Sequence, residues 1–108
     1  GTCIRDFIHI EDLASGHVAA LNKLFSATTI YENYNLGTGA GYSVKELIDT
    51  MSVVCGKKIK CTNAPRRTGD IDQMFALTNK AKIDLNWVAK KSIVDICRDQ
   101  YNYINKQI

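Results

Sequence analysis

The segment APRRTGDIDQ, residues 64–73, sets the chain's only proline, Pro65, beside Arg66 and Arg67, with Asp70 and Asp72 a few residues on. An arginine guanidinium is a planar fork that grips a phosphate through two donors at once. A carboxylate three residues later can accept from sugar hydroxyls, and Pro65 stiffens the loop that carries them. Such a loop suits a ligand bearing phosphate and sugar; it also suits a solvated charged turn, and residue types alone leave both open. Lys57, Lys58 and Lys60, just upstream, read more simply as a solvated edge, since lysines there discourage pairing with other chains.

GTGAGYS, residues 37–43, invites a phosphate-loop reading and fails it. Tyr42 stands where the dinucleotide fingerprint needs its third glycine, and no Gly-Lys-Ser/Thr follows. A tight turn is the plainer reading, leaving backbone N–H groups at a helix start that can face a polar ligand. No catalytic set emerges. His17 falls within an apolar helical stripe and His9 within an apparent strand, so both read as satisfied core or boundary histidines. The Tyr-x-x-x-Lys couple of nicotinamide enzymes is missing, because Tyr42 and Lys45, like Tyr103 and Lys106, are three apart. Cys3, Cys55, Cys61 and Cys97 form no C-x-x-C pair and have no zinc-site spacing with the two histidines. They read as reduced, small core residues, in keeping with a cytoplasmic location and no export signal.

The elements that must position these residues follow from periodicity. FIHI (7–10) suggests a short strand, and Glu11 and Asp12 then place negative charge where a helix over 12–25 begins. Leu13, Ala14, His17, Val18, Leu21, Leu24 and Phe25 form its stripe. A polar connection and a second short strand within IYENYNLG lead to the glycine loop. Ser43 and Glu46 make a capping box for a helix whose face is Val44, Leu47, Ile48, Met51, Val54 and Cys55, closed by Gly56. KIKCT (58–62) alternates like a strand. A short helix over 79–85 is expected to start at Thr78 and stop at Asn86. Ser92 and Asp95 cap a last helix carrying Ile93, Ile96, Cys97, Tyr101 and Ile104. The order is α/β in type. The 108 residues, 45% hydrophobic and 23% charged, suffice for one domain or a piece of one. A net charge of +3 permits an anionic ligand but lacks the dense basic stripe of nucleic-acid binding. No apolar run approaches the ~18 residues of a membrane span.

Several collinear segments together resemble the C-terminal part of the UDP-glucose 4-epimerases, a family of extended short-chain dehydrogenases/reductases. They are GTCIRDFIHIEDLASGHVAAL, YNLGTGAGYSVKELI, APRRTGD and TNKAKIDLNW followed by SIVDI. The first is common to many nucleotide-sugar enzymes, while P-R-R-x-G-D narrows the match toward 4-epimerases. The resemblance implies the C-terminal substrate-binding part of a Rossmann-type enzyme, with short strands and about four helices. It implies interconversion of UDP-glucose and UDP-galactose, in galactose metabolism, by hydride removal from the sugar C4 to NAD and return to the other face. Arg5 and Arg67 would contact the UDP diphosphate, Asp70 would bind a ribose hydroxyl, Thr68 and Gly69 would complete the loop, and Val44 would pack near the nucleotide. Asn86 replaces the family's usual turn glycine. Met74, where members vary between tyrosine and aliphatic residues, is given no polar role.

By the same resemblance, residues 1–108 are one nucleotide-sugar-binding portion. The NAD-binding domain, the catalytic tyrosine and lysine and the helices of a homodimer would lie upstream, so the chain alone would be inactive. Two other readings stay open. One keeps the scaffold and changes the reaction: a UDP-N-acetylhexosamine epimerase, a sugar-nucleotide dehydratase or a decarboxylase. The other is a non-catalytic basic interaction module, distinguished by salt-sensitive nucleic-acid binding without preference for UDP.

Overall fold

A computed structural model describes residues 2–26, 32–65 and 67–106. Seven elements follow in order: β1 (Ile4–Arg5), α1 (Ile10–Ser26), β2 (Tyr42–Ser43), α2 (Val44–Cys55), β3 (Gln73–Met74), α3 (Asn79–Leu85) and α4 (Ile93–Lys106). The strands form one sheet in the order β2-β1-β3. Arg5 pairs with Tyr42 across the antiparallel ladder and with Met74 across the parallel one. The α/β expectation with four helices holds among the described residues.

The helix signals translate directly. Ser43 accepts from the Glu46 N–H at 3.0 Å while Glu46 takes the Ser43 N–H at 3.3 Å, which closes the capping box of α2. Ser92 and Asp95 exchange the same pair of bonds at 2.9 and 3.1 Å ahead of α4. Gly56 at φ 70° and Asn86 at φ 52° end α2 and α3 in the left-handed region, which glycine enters freely and asparagine tolerates better than most residues. Thr78 precedes α3 as expected, but its side chain makes no capping bond; its carbonyl accepts from Lys82 instead.

All three strand expectations are displaced. FIHI is not a strand, because His9 does helix work: its Nδ1 accepts the Glu11 N–H at 3.0 Å and its carbonyl accepts from Leu13, so α1 starts at Ile10. In IYENYNLG, residues 30–31 lie outside the described residues and 32–36 are irregular; Lys80 fastens this segment through Glu32 and the Asn33 carbonyl. KIKCT is irregular too, with its lysines exposed and the Ile59 N–H donating to Ser52 Oγ rather than to a strand.

Packing forms two clusters. Cys97 of α4 is fully buried where α2 lies along α4, with Leu47, Ile48 and Met51 half-buried on α2. Trp87 is buried against α1, its Nε1–H donating to Ser15 Oγ at 2.8 Å. Gly16 makes that contact possible, since a Cβ there would stand 2.7 Å from Leu36 Cδ1 and 3.2 Å from the Trp87 ring. Asp12, expected as a favourable charge at a helix start, is instead a buried anchor; its carboxylate accepts the N–H groups of Lys90 and Lys91 at 3.1 and 2.8 Å. His9 is a buried, satisfied histidine, its Nε2 meeting Asp99 at 2.7 Å, whereas His17 is exposed and bonded to the Leu13 carbonyl. The cysteines are free, but Cys61 is exposed and no core residue, sitting on the irregular segment that replaces the expected strand.

The chain is open for its size. It exposes 8366 Å², where a compact monomer of this length exposes about 6,000 Å². Its radius of gyration is 16.7 Å, against about 13 Å for a compact domain. Much of the excess is apolar, including Leu21, Leu24 and Phe25 on α1. Among the described residues, no helix is long and apolar enough to cross a membrane.

Candidate nucleotide-sugar site

β1 is short but central, and it brings remote residues to one sheet end. Ile4 donates its N–H to the Asp72 carbonyl at 2.9 Å, so the chain just past Asp70 is hydrogen-bonded beside Arg5. On the other side, the Val44 N–H donates to the Cys3 carbonyl at 3.0 Å, which sets the first turn of α2 against the start of β1. Arg5 itself is half-buried, with Nη1 donating to the Ile4 carbonyl at 2.8 Å.

The loop with the arginine fork is closed by its own carboxylate. Asp70 Oδ2 accepts the Arg67 backbone N–H at 3.3 Å and the Arg67 Nε–H at 3.2 Å, while the Asp70 N–H donates to the Arg67 carbonyl at 3.2 Å. Thr68 and Gly69 form the tip, and Gly69 at φ 87° occupies the left-handed region that the turn demands. The Arg67 side chain is 86% exposed. The Asp70 carboxyl is held below its ordinary pKa, chiefly by the bond from Arg67 against the opposing effect of burial, with Arg5 adding a smaller attraction. Two cations that are 62 positions apart in the sequence thus act on one carboxylate.

Asp70 thus meets Arg67 directly and Arg5 through a weaker attraction, the 67–70 turn leads into β3 beside β1, and Val44 starts the helix on the β2 side of the sheet. Arg66 lies outside the described residues. An open groove of about 580 Å³ adjoins the β1–β3 pair, lined by Arg5, Asp6, Tyr34, Met74 and Phe75, but not by residues 67–70. Met74 is exposed there and offers only its thioether.

The glycine loop departs from expectation. The N–H groups of Thr38 and Gly39 do not await a ligand; both donate to Asp6, at 3.0 and 2.9 Å. The first turn of α2 is equally occupied, with Val44 on the Cys3 carbonyl, Lys45 on Thr2 Oγ1 and Glu46 on Ser43 Oγ. An NAD pyrophosphate does not fit here, because the N–H groups of Thr38, Gly39, Ala40 and the first turn of α2 are already bonded within the chain. Asp6, beside Arg5 in the R-D pair, was the only local sign of this arrangement.

No family model matches the chain. It is 50% identical over 107 residues, 98% of its length, to the bifunctional UDP-glucose 4-epimerase and UDP-xylose 4-epimerase 3 of Arabidopsis thaliana, and spans about 30% of the length of that relative. A UDP-glucose 4-epimerase from Stenotrophomonas maltophila, solved with NAD and formylated UDP-arabinopyranose, superposes with a TM-score of 0.91 at 39% identity, over 98% of this chain and 31% of that one. The enzyme from Bifidobacterium longum, solved with NAD+ and UDP, gives 0.86 at 40% identity, over 97% and 31%. In sequence and in fold, this chain is a relative of the C-terminal portion of the UDP-glucose 4-epimerases, enzymes of the short-chain dehydrogenase/reductase type.

Proposed function

We propose that this chain is the UDP-sugar-binding portion of a UDP-glucose 4-epimerase, with Arg5 and Arg67 clamping the diphosphate and Asp70 holding a ribose hydroxyl. The reading is supported by a chain 50% identical over 107 residues to a bifunctional UDP-glucose and UDP-xylose 4-epimerase, in which the strand of Arg5 pairs with the strand that the 67–70 turn leads into. The diphosphate is a dianion with paired oxygens, which guanidinium groups from two elements can meet through charge-assisted, two-pronged hydrogen bonds. Asp70, its carboxyl pKa lowered by Arg67, stands ionised near neutral pH and can accept from a hydroxyl without first releasing a proton. Thr68 and Gly69 shape the turn, and Val44 supplies an apolar wall.

The hydride carrier of the reaction is NAD, which a longer protein would hold through residues outside this chain. Residues 1–108 contribute binding and orientation rather than the chemical step. Galactose metabolism, a cytoplasmic location and a homodimer built from upstream helices belong to the same proposal. The sugar is glucose and galactose in the first reading; because the Arabidopsis relative is named for UDP-xylose as well, a pentose is the second. A coupled assay on the complete protein tests the proposal. Turnover of UDP-galactose that fails on Arg5→Ala supports it, and unchanged turnover in that variant overturns it.

A further inference from the structure

One half-buried carboxylate lies outside the clamp and is bonded to two separate segments of the chain. Asp6 follows Arg5 directly, where β1 ends. Its Oδ1 accepts the Thr38 N–H at 3.0 Å and the Thr38 hydroxyl at 2.7 Å. Its Oδ2 accepts the Gly39 N–H at 2.9 Å and the Ala76 N–H at 3.2 Å. These four donors come from two places: the loop that leads into β2 and α2, and the segment that leaves β3. Thr38 is fixed further, because its hydroxyl oxygen receives the Ala40 N–H at 3.1 Å. Gly37 leaves the room, since a Cβ there would stand 2.7 Å from Asp6 Oδ2.

The consequence is mechanical. Strands of two residues supply few ladder bonds, so the sheet has little else to set where β1 ends relative to its neighbours. Asp6 supplies that constraint one residue after Arg5. We propose that Asp6 is a positioning residue for the nucleotide site, fixing the backbone from which Arg5 reaches the diphosphate. This rests on the proposed UDP reading and adds to it a residue that touches no ligand. Four donors around one carboxylate also explain why an amide would serve poorly: the NH₂ group of an asparagine would face at least one N–H.

A double-mutant cycle on the complete protein, read by calorimetric titration with UDP, tests it. Asp6→Asn should weaken UDP roughly tenfold, the scale of losing a charge-assisted bond. In an Arg5→Ala background the same change should cost less than about twofold, because there is no guanidinium left to misplace. Should Asp6→Asn fail to fold, Thr38→Val carries the same cycle, with a smaller loss that again vanishes without Arg5. Equal losses in both backgrounds would mean general damage to the site and overturn the inference alone. No loss on Asp6→Asn in the folded protein would overturn it as well. If Arg5→Ala itself leaves UDP binding unchanged, the clamp reading fails and takes this inference with it.

Discussion

Replacing Arg67 by alanine separates what the residue does for the fold from what it does for a ligand. Its side chain is 86% exposed, and its one ion pair among the described residues, with Asp70 at 3.2 Å, spans three residues of the same turn. Exposed pairs of this kind contribute little to stability. The thermal midpoint of the complete protein should therefore stay within about 2 °C of the parent. UDP affinity should behave differently. A guanidinium on a diphosphate makes charge-assisted bonds, and losing them should weaken binding roughly 10- to 150-fold. Arg5→Ala should cost a similar factor from the opposite side of the clamp. Lysine at either position should recover only part, because a point charge cannot reproduce the two-pronged contact. Asp70→Asn keeps the shape and weakens only the acceptor, so its loss should be smaller and nearly independent of salt. Arg66→Ala is the internal control and should change affinity by less than about fivefold. Calorimetric titration of UDP into these variants decides the matter. Equal losses at Arg66 and Arg67, or none at Arg5, would refute the assignment.

Three further outcomes are expected. Gly16→Ala should destabilise the protein by about 1–3 kcal/mol, because its methyl would stand 2.7 Å from Leu36 and 3.2 Å from Trp87; an unchanged urea midpoint would contradict the packing described. Asp6 has a carboxyl pKa lowered below its ordinary 3.8: burial, the largest influence, pushes it up, but the bonds from Thr38, Ala76 and Gly39 together outweigh burial. The unfolded chain therefore binds the proton more readily than the folded one, so the stability advantage over Asp6→Asn should be full above the ordinary value and be lost as pH falls below it through the lower folded one; unfolding curves of both proteins from neutral pH down into the acid range below the ordinary value measure this. Finally, the isolated 108 residues should self-associate, given 8366 Å² of exposed surface and the open apolar face of α1; a monomer at high concentration in sedimentation, with a sharp thermal transition, would count against it.

What the sequence made legible was what local chemistry decides. Ser43 with Glu46, Ser92 with Asp95, Gly56 and Asn86 mark helix ends within five residues of their partners, and all four behave as read. The Arg67–Asp70 turn is likewise local, three residues across. Strands were misplaced because pairs of two residues are too short to leave an alternating pattern, and their place depends on partners tens of positions away. Asp6 and Asp12 were missed as organisers for the same reason, since their donors lie some 32 to 79 positions along the chain. Arg5 entered the candidate site only through family resemblance. Nothing around it in the sequence says that its strand will pair with Gln73 and Met74.

A crystal structure of the complete protein with UDP tests the central claim most directly. The account predicts diphosphate oxygens within about 2.7–3.2 Å of both the Arg5 and Arg67 guanidinium groups, with a ribose hydroxyl donating to Asp70. A diphosphate bound elsewhere, with Arg5 still turned to the Ile4 carbonyl and Arg67 left in solvent, would contradict it.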